Sequence, residues 1–185
     1  KRPWPRQRNM TKLFGRLFDK EAEVTDLGRK LVWSLLAGYF LCLLYLCFSP
    51  QPLGLTGVDT PNIHYWGRVP YLLVPFNSFV SIGKLDTFKK LFWVIGQNFS
   101  NLLLLTPLVL GILALRSDWR RWPRVLLMSF AMSLSIETTQ VIIDRLFNAN
   151  RVFEIDDLIF NSLGGLLALW LVPVVKFLIK KIRKD

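Results

Sequence analysis

SLSIETTQVIIDRLFNANRVFEIDDLIFNSLGG, residues 133–165, consists of two apolar runs around a short polar connector. Glu137, Gln140 and Asp144 lie inside the first run, Arg151 stands in the connector, and Asp156, Asp157 and Asn161 enter the second. A charged side chain in hydrocarbon costs about 2.5 to 3.5 kcal/mol on insertion scales. Such groups therefore face one another or a wet cavity. Two apolar runs that carry this cost predict a pair of membrane-crossing helices and a candidate site where their polar residues meet.

The rest of the chain fits that reading. Of 185 residues 52% are hydrophobic, with seven Trp and fourteen Phe, and the mean hydropathy is +0.35. A soluble domain of this length needs far fewer apolar residues. The net charge of +11 raises the possibility of nucleic-acid binding, but the basic residues sit at the ends of apolar runs, which is the pattern of membrane orientation. No nucleic-acid partner is expected. Cys42 and Cys47 are five apart in one apolar run and read as packing residues. A single histidine leaves no His or Cys metal cluster, so any metal would be held by oxygens.

Four spans are predicted, at about residues 31–48, 91–115, 123–146 and 158–179, in one membrane domain covering residues 30–185. The first has eighteen uncharged residues, about 27 Å of helix, close to the hydrocarbon thickness. Residues 1–29 form a basic tail in which Leu13, Phe14, Leu17 and Phe18 recur at helical spacing between Lys12, Arg16 and Lys20. That suits a short amphipathic helix against an anionic lipid surface. Residues 69–82, broken by Pro70 and Pro75, are too short to span. With Trp66, Tyr71, Phe76 and Phe79 as anchors they read as interfacial or re-entrant.

The basic residues set the expected orientation. Nine Lys or Arg lie within residues 1–30, four within 116–124 and five within 176–184, against four across 49–90 and two, Arg145 and Arg151, near the third connector. Both termini are expected in the cytoplasm, with the first and third connectors outward. Ser133, Glu137, Gln140 and Asp144 then form one stripe, spaced 4, 3 and 4. Glu137 lies about 21 Å along its span, in the outer half. Gln97, Asn98 and Asn101 in the second span, and Asp156, Asp157 and Asn161 in the fourth, reach the same level.

Plainer roles exist for several of these residues. Asp156 or Asp157 can cap the fourth helix, and Asn98 and Asn101 can bond neighbouring helices. Arg68 and Arg151 can be ordinary outward charges, or can pair with the carboxylates or an anionic headgroup. Glu137 has no Lys or Arg at its depth on its own helix and is the strongest candidate for contact with a ligand.

Four pieces of sequence carry a further signal: LLVPFNSF at 72–79, NLLLLTPLVLG at 101–111, SIETTQ at 135–140 and RVFEIDDLIFNSLGG at 151–165. With these the chain resembles the VanZ-like family of small bacterial membrane proteins, named for a member associated with resistance to the glycopeptide antibiotic teicoplanin. The resemblance covers most of residues 72–171. It places the family's polar motif on Asn101, Glu137, Gln140, Arg151, Asp156, Asp157, Asn161 and Gly164. Ser100 and Thr106 stand where small or apolar residues would be expected.

The expectation is thus an all-α polytopic helical bundle in the bacterial plasma membrane. Its candidate ligand-binding residues are Arg68, Asn98, Asn101, Glu137, Gln140, Arg151, Asp156, Asp157 and Asn161. The expected ligand is a membrane lipid or a lipid-linked cell-wall precursor, with lowered glycopeptide susceptibility as the consequence and no cofactor. One alternative is an enzyme acting on a polyprenyl phosphate or lipid headgroup. Glu137 would be its acid or base, and Asp156 with Asp157 would hold Mg²⁺. Another is a structural or partner-binding protein whose polar cluster only knits helices together.

Overall fold

The computed structural model describes residues 5–49, 62–80, 88–149 and 151–184. In order, these form α1 (Pro5–Leu17), α2 (Asp26–Phe48), strands β1 (His64–Trp66) and β2 (Val69–Leu72), a short α3 (Asn77–Val80), α4 (Phe88–Leu104), α5 (Thr106–Leu115), α6 (Trp122–Phe147), β3 (Phe153–Glu154) and α7 (Ile155–Lys184). Among the described residues four stretches are long and apolar enough to cross a membrane: Asp26–Phe48, Ile95–Leu115, Trp122–Phe147 and Ile155–Arg183. The predicted all-α membrane bundle is therefore present, with α7 at its centre packed on α4, α5 and α6.

Burial in this bundle is inverted relative to a soluble protein. Tyr45 and Trp170 are 72% and 74% exposed, whereas Ser129, Ser133, Glu137, Gln140 and Asp144 are buried. These buried residues follow one another at spacings of 4, 4, 3 and 4, so α6 turns its polar stripe inward and leaves its apolar surface to lipid. Below the polar layer, toward the end that carries both termini, Leu43, Leu105, Val109, Leu113, Val125 and Ala168 form an apolar core.

Local chemistry sets the helix limits. Thr25 caps α2 by accepting from the Gly28 N–H at 3.2 Å, and Pro50 follows its end. α6 begins with Pro123 in its first turn and ends at Asn148, whose left-handed φ of 56° lets its N–H bond the Asp144 carbonyl. The second span is one apolar stretch by composition but divides into α4 and α5 at Leu105, because Pro107 lacks an N–H and its ring clashes with the preceding turn. The Leu104 carbonyl at this break accepts from the Tyr39 hydroxyl at 2.8 Å. The fourth span starts earlier than expected, at Ile155, which brings Asp156 and Asp157 inside its first turn.

Residues 69–80 fold as a strand and a short helix, β2 and α3, and residues 81 and 82 lie outside the described region. β2 pairs antiparallel with β1 through a tight turn at Gly67, whose φ of +63° suits glycine. It also pairs parallel with β3, in the register Tyr71↔Phe153 and Leu72↔Glu154. Pro70 is tolerated in so short a ladder. The small sheet covers the far ends of α6 and α7. Its strands are two to four residues long, too short for alternation to stand out among prolines and aromatics.

The basic tail also does more than the sequence suggests. α1 packs on α7 and α2, leaving Lys12, Leu13 and Arg16 exposed, and residues 1–4 lie outside the described region. A tight link from Phe18 to Val24 places Glu23 against two cations: Arg120 donates to it at 2.5 and 2.7 Å, and Lys176 bonds the same carboxylate. The Arg120 hydrogen bonds, helped by Lys176 and opposed by partial burial, hold the Glu23 carboxyl down at about 2. A depressed acid stabilises the folded state in full above the ordinary glutamate range, and this contribution is lost as pH falls through about 2. With solvent screening, Glu23→Gln is expected to cost about 1 to 2 kcal/mol at neutral pH. Thermal unfolding at pH 7 and pH 3 checks this, because the gap between wild type and variant should narrow in acid.

Candidate functional site

α6 supplies the main wall of the site. Its inward stripe presents Ser133, Glu137, Gln140 and Asp144 in ascending order, and only 1% of Glu137 is accessible. α7 begins at the level of Glu137, where the backbone N–H of Glu154 donates to the Glu137 carboxylate at 3.3 Å. Nearly two turns further along α7, Asn161 donates to the Ser133 hydroxyl at 3.0 Å. α4 closes the third side, with Asn101 bonded to the Asp157 carboxylate and Gln97 reaching Glu154 at 3.4 Å.

The end of α2 forms the fourth side and is held there by two of the predicted site residues. The last carbonyls of a helix have no partner within it. Here Gln140 donates to the Cys47 carbonyl at 2.8 Å. Arg151 donates through one guanidinium nitrogen to the Leu46 and Ser49 carbonyls at 2.9 and 2.8 Å. The Arg151 N–H in turn bonds the Asp144 carboxylate at 3.1 Å, which fixes the connector after α6.

These four sides enclose a cavity of about 520 Å³, lined by Asn101, Glu137, Gln140, Arg151, Asp157 and Asn161 together with Gln97, Ser100 and Cys47. The Glu137 and Asp157 carboxyls lie within hydrogen-bonding reach of each other. Two anions so placed in a buried site repel unless a donor group lies between or beside them. Arg151 stands close enough for its charge to be felt by both, while burial pulls its own guanidinium below the ordinary value. Burial pushes the Glu154 carboxyl up, with Asp156 adding to the effect.

Six of the nine predicted site residues thus line one cavity, and three do not. Arg68 is exposed and donates to the backbone carbonyl of Arg145 at the far end of α6, away from the carboxylates. Asn98 is buried but lies outside the cavity wall. Asp156 is 2% accessible and turns to the first connector, accepting from the Phe76 N–H at 2.6 Å. Its described hydrogen bond therefore fixes the connector instead of capping its own helix. Adjacent residues on a helix point about 100° apart, so Asp156 and Asp157 face different neighbours and do not form a chelating pair. Among the described residues no group of three or more His, Cys, Asp or Glu is arranged to hold a metal ion.

Three features of the site escaped the sequence reading. Glu154 reads as a loop residue, and its burial depends on the β2–β3 pairing. Thr106, the apparent departure at the break in the second span, bonds the carbonyls of Leu102 and Gly164 at 2.8 and 3.0 Å and so ties α4 to α7. Cys47 enters the cavity wall only because Gln140 and Arg151 draw the end of α2 inward. The comb of serines on α6, continued down to Ser129, is the signal that could have marked how far the polar face extends.

Residues 36–176 match the family model described as VanZ/LLP1. That stretch is most of the chain, and the chain belongs to this family. No curated protein and no solved structure matches it.

Proposed function

We propose that this member of the VanZ/LLP1 family holds the polar head of a membrane-embedded cell-envelope ligand, such as a lipid-linked wall precursor, in its α2–α4–α6–α7 cavity, and thereby lowers glycopeptide access to its target. The observation that carries the reading is the cavity itself: two carboxyls, an arginine and four amides converge within the bundle of apolar spans, where a purely structural cluster would close upon itself. The density of Lys and Arg favours both termini in the cytoplasm of a bacterial cell, which puts this cavity in the outer leaflet. The exposed Lys12 and Arg16 of α1, together with Lys180 and Lys181 of α7, then lie against the anionic inner leaflet.

The test is teicoplanin susceptibility in a Gram-positive host expressing wild type or Glu137→Gln at matched levels, with retained lipids identified by mass spectrometry. Wild type is expected to lower susceptibility and to retain the lipid-linked precursor. The Gln variant should lose at least fourfold of the protection and most of the lipid. Unchanged protection in a destabilised variant would instead place Glu137 in a helix-knitting role.

A catalytic reading draws on the same pair, since two facing carboxyls beside a cavity suit proton transfer to or from a bound headgroup. It predicts turnover of a polyprenyl diphosphate by purified protein, abolished in Glu137→Gln. Binding without turnover excludes it.

A further inference from the structure

The hydrogen-bond inventory of the cavity says what kind of head it takes. Its donors are largely committed within the protein: Gln140 to the Cys47 carbonyl, Asn101 to Asp157, Asn161 to Ser133, and one Arg151 nitrogen to two carbonyls at the end of α2. Asp157 is matched by Asn101, but two other acceptors, on Asn161 and Glu137, are less well supplied. Among the described residues the Asn161 side-chain oxygen is buried without a hydrogen-bond partner, and apart from its contact with Asp157 the Glu137 carboxylate has a single long bond, from Glu154. A buried acceptor left unmatched costs about 1 to 3 kcal/mol, so a complementary ligand brings donors. Among the described residues one donor at the cavity, the buried Arg151 Nε, also lacks a partner. A hydroxyl both donates and accepts and meets both demands. An ammonium meets only the first, and a phosphate would face the Glu137 and Asp157 carboxyls.

A second space shows where the rest of such a ligand goes. Beside the polar cavity lies an apolar crevice of about 280 Å³ between α2, α5 and α6, with Phe40, Leu44, Leu108 and Met132 in its walls. Cys47 and Ile136 line both spaces. The polar cavity and the apolar crevice therefore adjoin at these two side chains, the arrangement needed by a molecule with one polar end and one apolar end.

We propose that the site takes a glycolipid-type amphiphile, with a hydroxyl-rich head among Glu137, Asp157, Asn161 and Arg151 and a single hydrocarbon chain in the α2–α6 crevice. This rests on the cavity reading given above and adds the class of head and the path of the chain.

The experiment uses the full chain in phosphatidylcholine vesicles and three photoreactive probes that share one dodecyl chain, with a diazirine near its end, and differ in head: glucoside, phosphate and trimethylammonium. Crosslinked peptides are mapped by mass spectrometry, with unlabelled dodecyl glucoside as competitor. The glucoside is expected to label residues 40–48 and 132–139 at least tenfold more than the other two, and unlabelled glucoside should abolish the signal. Glu137→Gln should reduce it about tenfold, and Leu44→Trp, which fills the crevice, should remove label from those two segments. Equal or stronger labelling by the phosphate or ammonium probe would overturn the assigned head and leave the cavity reading standing. Competed glucoside labelling that avoids the crevice would overturn the chain path. Label spread evenly over the lipid-facing surface and unchanged by competitor would overturn both this inference and the cavity reading. The wild-type comparison decides these outcomes even if a variant fails to fold.

Discussion

Gly164→Ala is expected to destabilise the protein by about 3 kcal/mol, at the upper end of the usual cost of overpacking. A Cβ at this position would lie 2.1 Å from the Leu102 carbonyl oxygen and 3.2 Å from the Thr106 hydroxyl. The first obstacle is helix backbone, which has no rotamer to change. To reach an ordinary carbon–oxygen contact of about 3.3 Å, α4 and α7 would have to separate by roughly 1 Å. The Thr106 hydrogen bond to the Gly164 carbonyl would stretch, and so would the Asn101–Asp157 contact two turns along the same interface.

Gly165→Ala supplies the contrast. There the added carbon meets the Ser129 side chain, with the hydroxyl at 1.8 Å and its Cβ at 2.6 Å. Ser129→Gly should therefore restore much of the loss at Gly165 and none of the loss at Gly164. Thermal unfolding in detergent checks both, with a drop of about 6 to 12 °C expected for Gly164→Ala from the usual scaling for a chain of this size. A drop of less than 2 °C would mean that the two helices are not held in backbone contact.

Arg151→Ala is expected to cost about 2 to 4 kcal/mol and to open the cavity. It removes the donor to two carbonyls at the end of α2 and the cation nearest Glu137 and Asp157, leaving partly buried acceptors and charges without compensation. Arg151→Lys keeps the charge but not the planar fork, so it should recover only part of the loss. The direct readout is Cys47, which is 5% accessible and sits where Arg151 and Gln140 hold the end of α2. In a Cys42→Ser background, Cys47 should react with a membrane-permeant maleimide at least tenfold faster in Arg151→Ala than in the parent. Unchanged reactivity together with an unchanged melting temperature would show that α2 is anchored elsewhere.

Both predictions concern residues that the sequence brought to notice for reasons other than the ones found. Arg151 read as a headgroup or carboxylate partner, whereas its described hydrogen bonds go to backbone carbonyls. Gly164 read as a position of the family motif, and the structure identifies the carbonyl it admits. Glu23 had no signal in the sequence: its partners Arg120 and Lys176 are about a hundred residues or more away, and each reads as one orientation charge among many.

The sequence alone determined the four spans, the inward stripe of α6, the shared level of the amides and carboxylates, and the family. Each of these follows from a local rule: hydrocarbon thickness sets span length, the 3.6-residue period sets the stripe, and fixed spacing carries the motif. Tertiary structure alone decided which members of the polar cluster face one another. It turned Asp156 to the Phe76 backbone and Asp157 to the cavity, left Arg68 outside, and brought in Glu154 through a parallel strand pair that no alternation in two or three residues could announce. The reason is that a helix fixes the angle between neighbouring side chains but not what stands opposite them. That choice belongs to backbone approach at Gly164, to helix-end carbonyls that lack partners, and to contacts between residues about sixty to a hundred and fifty apart in the chain.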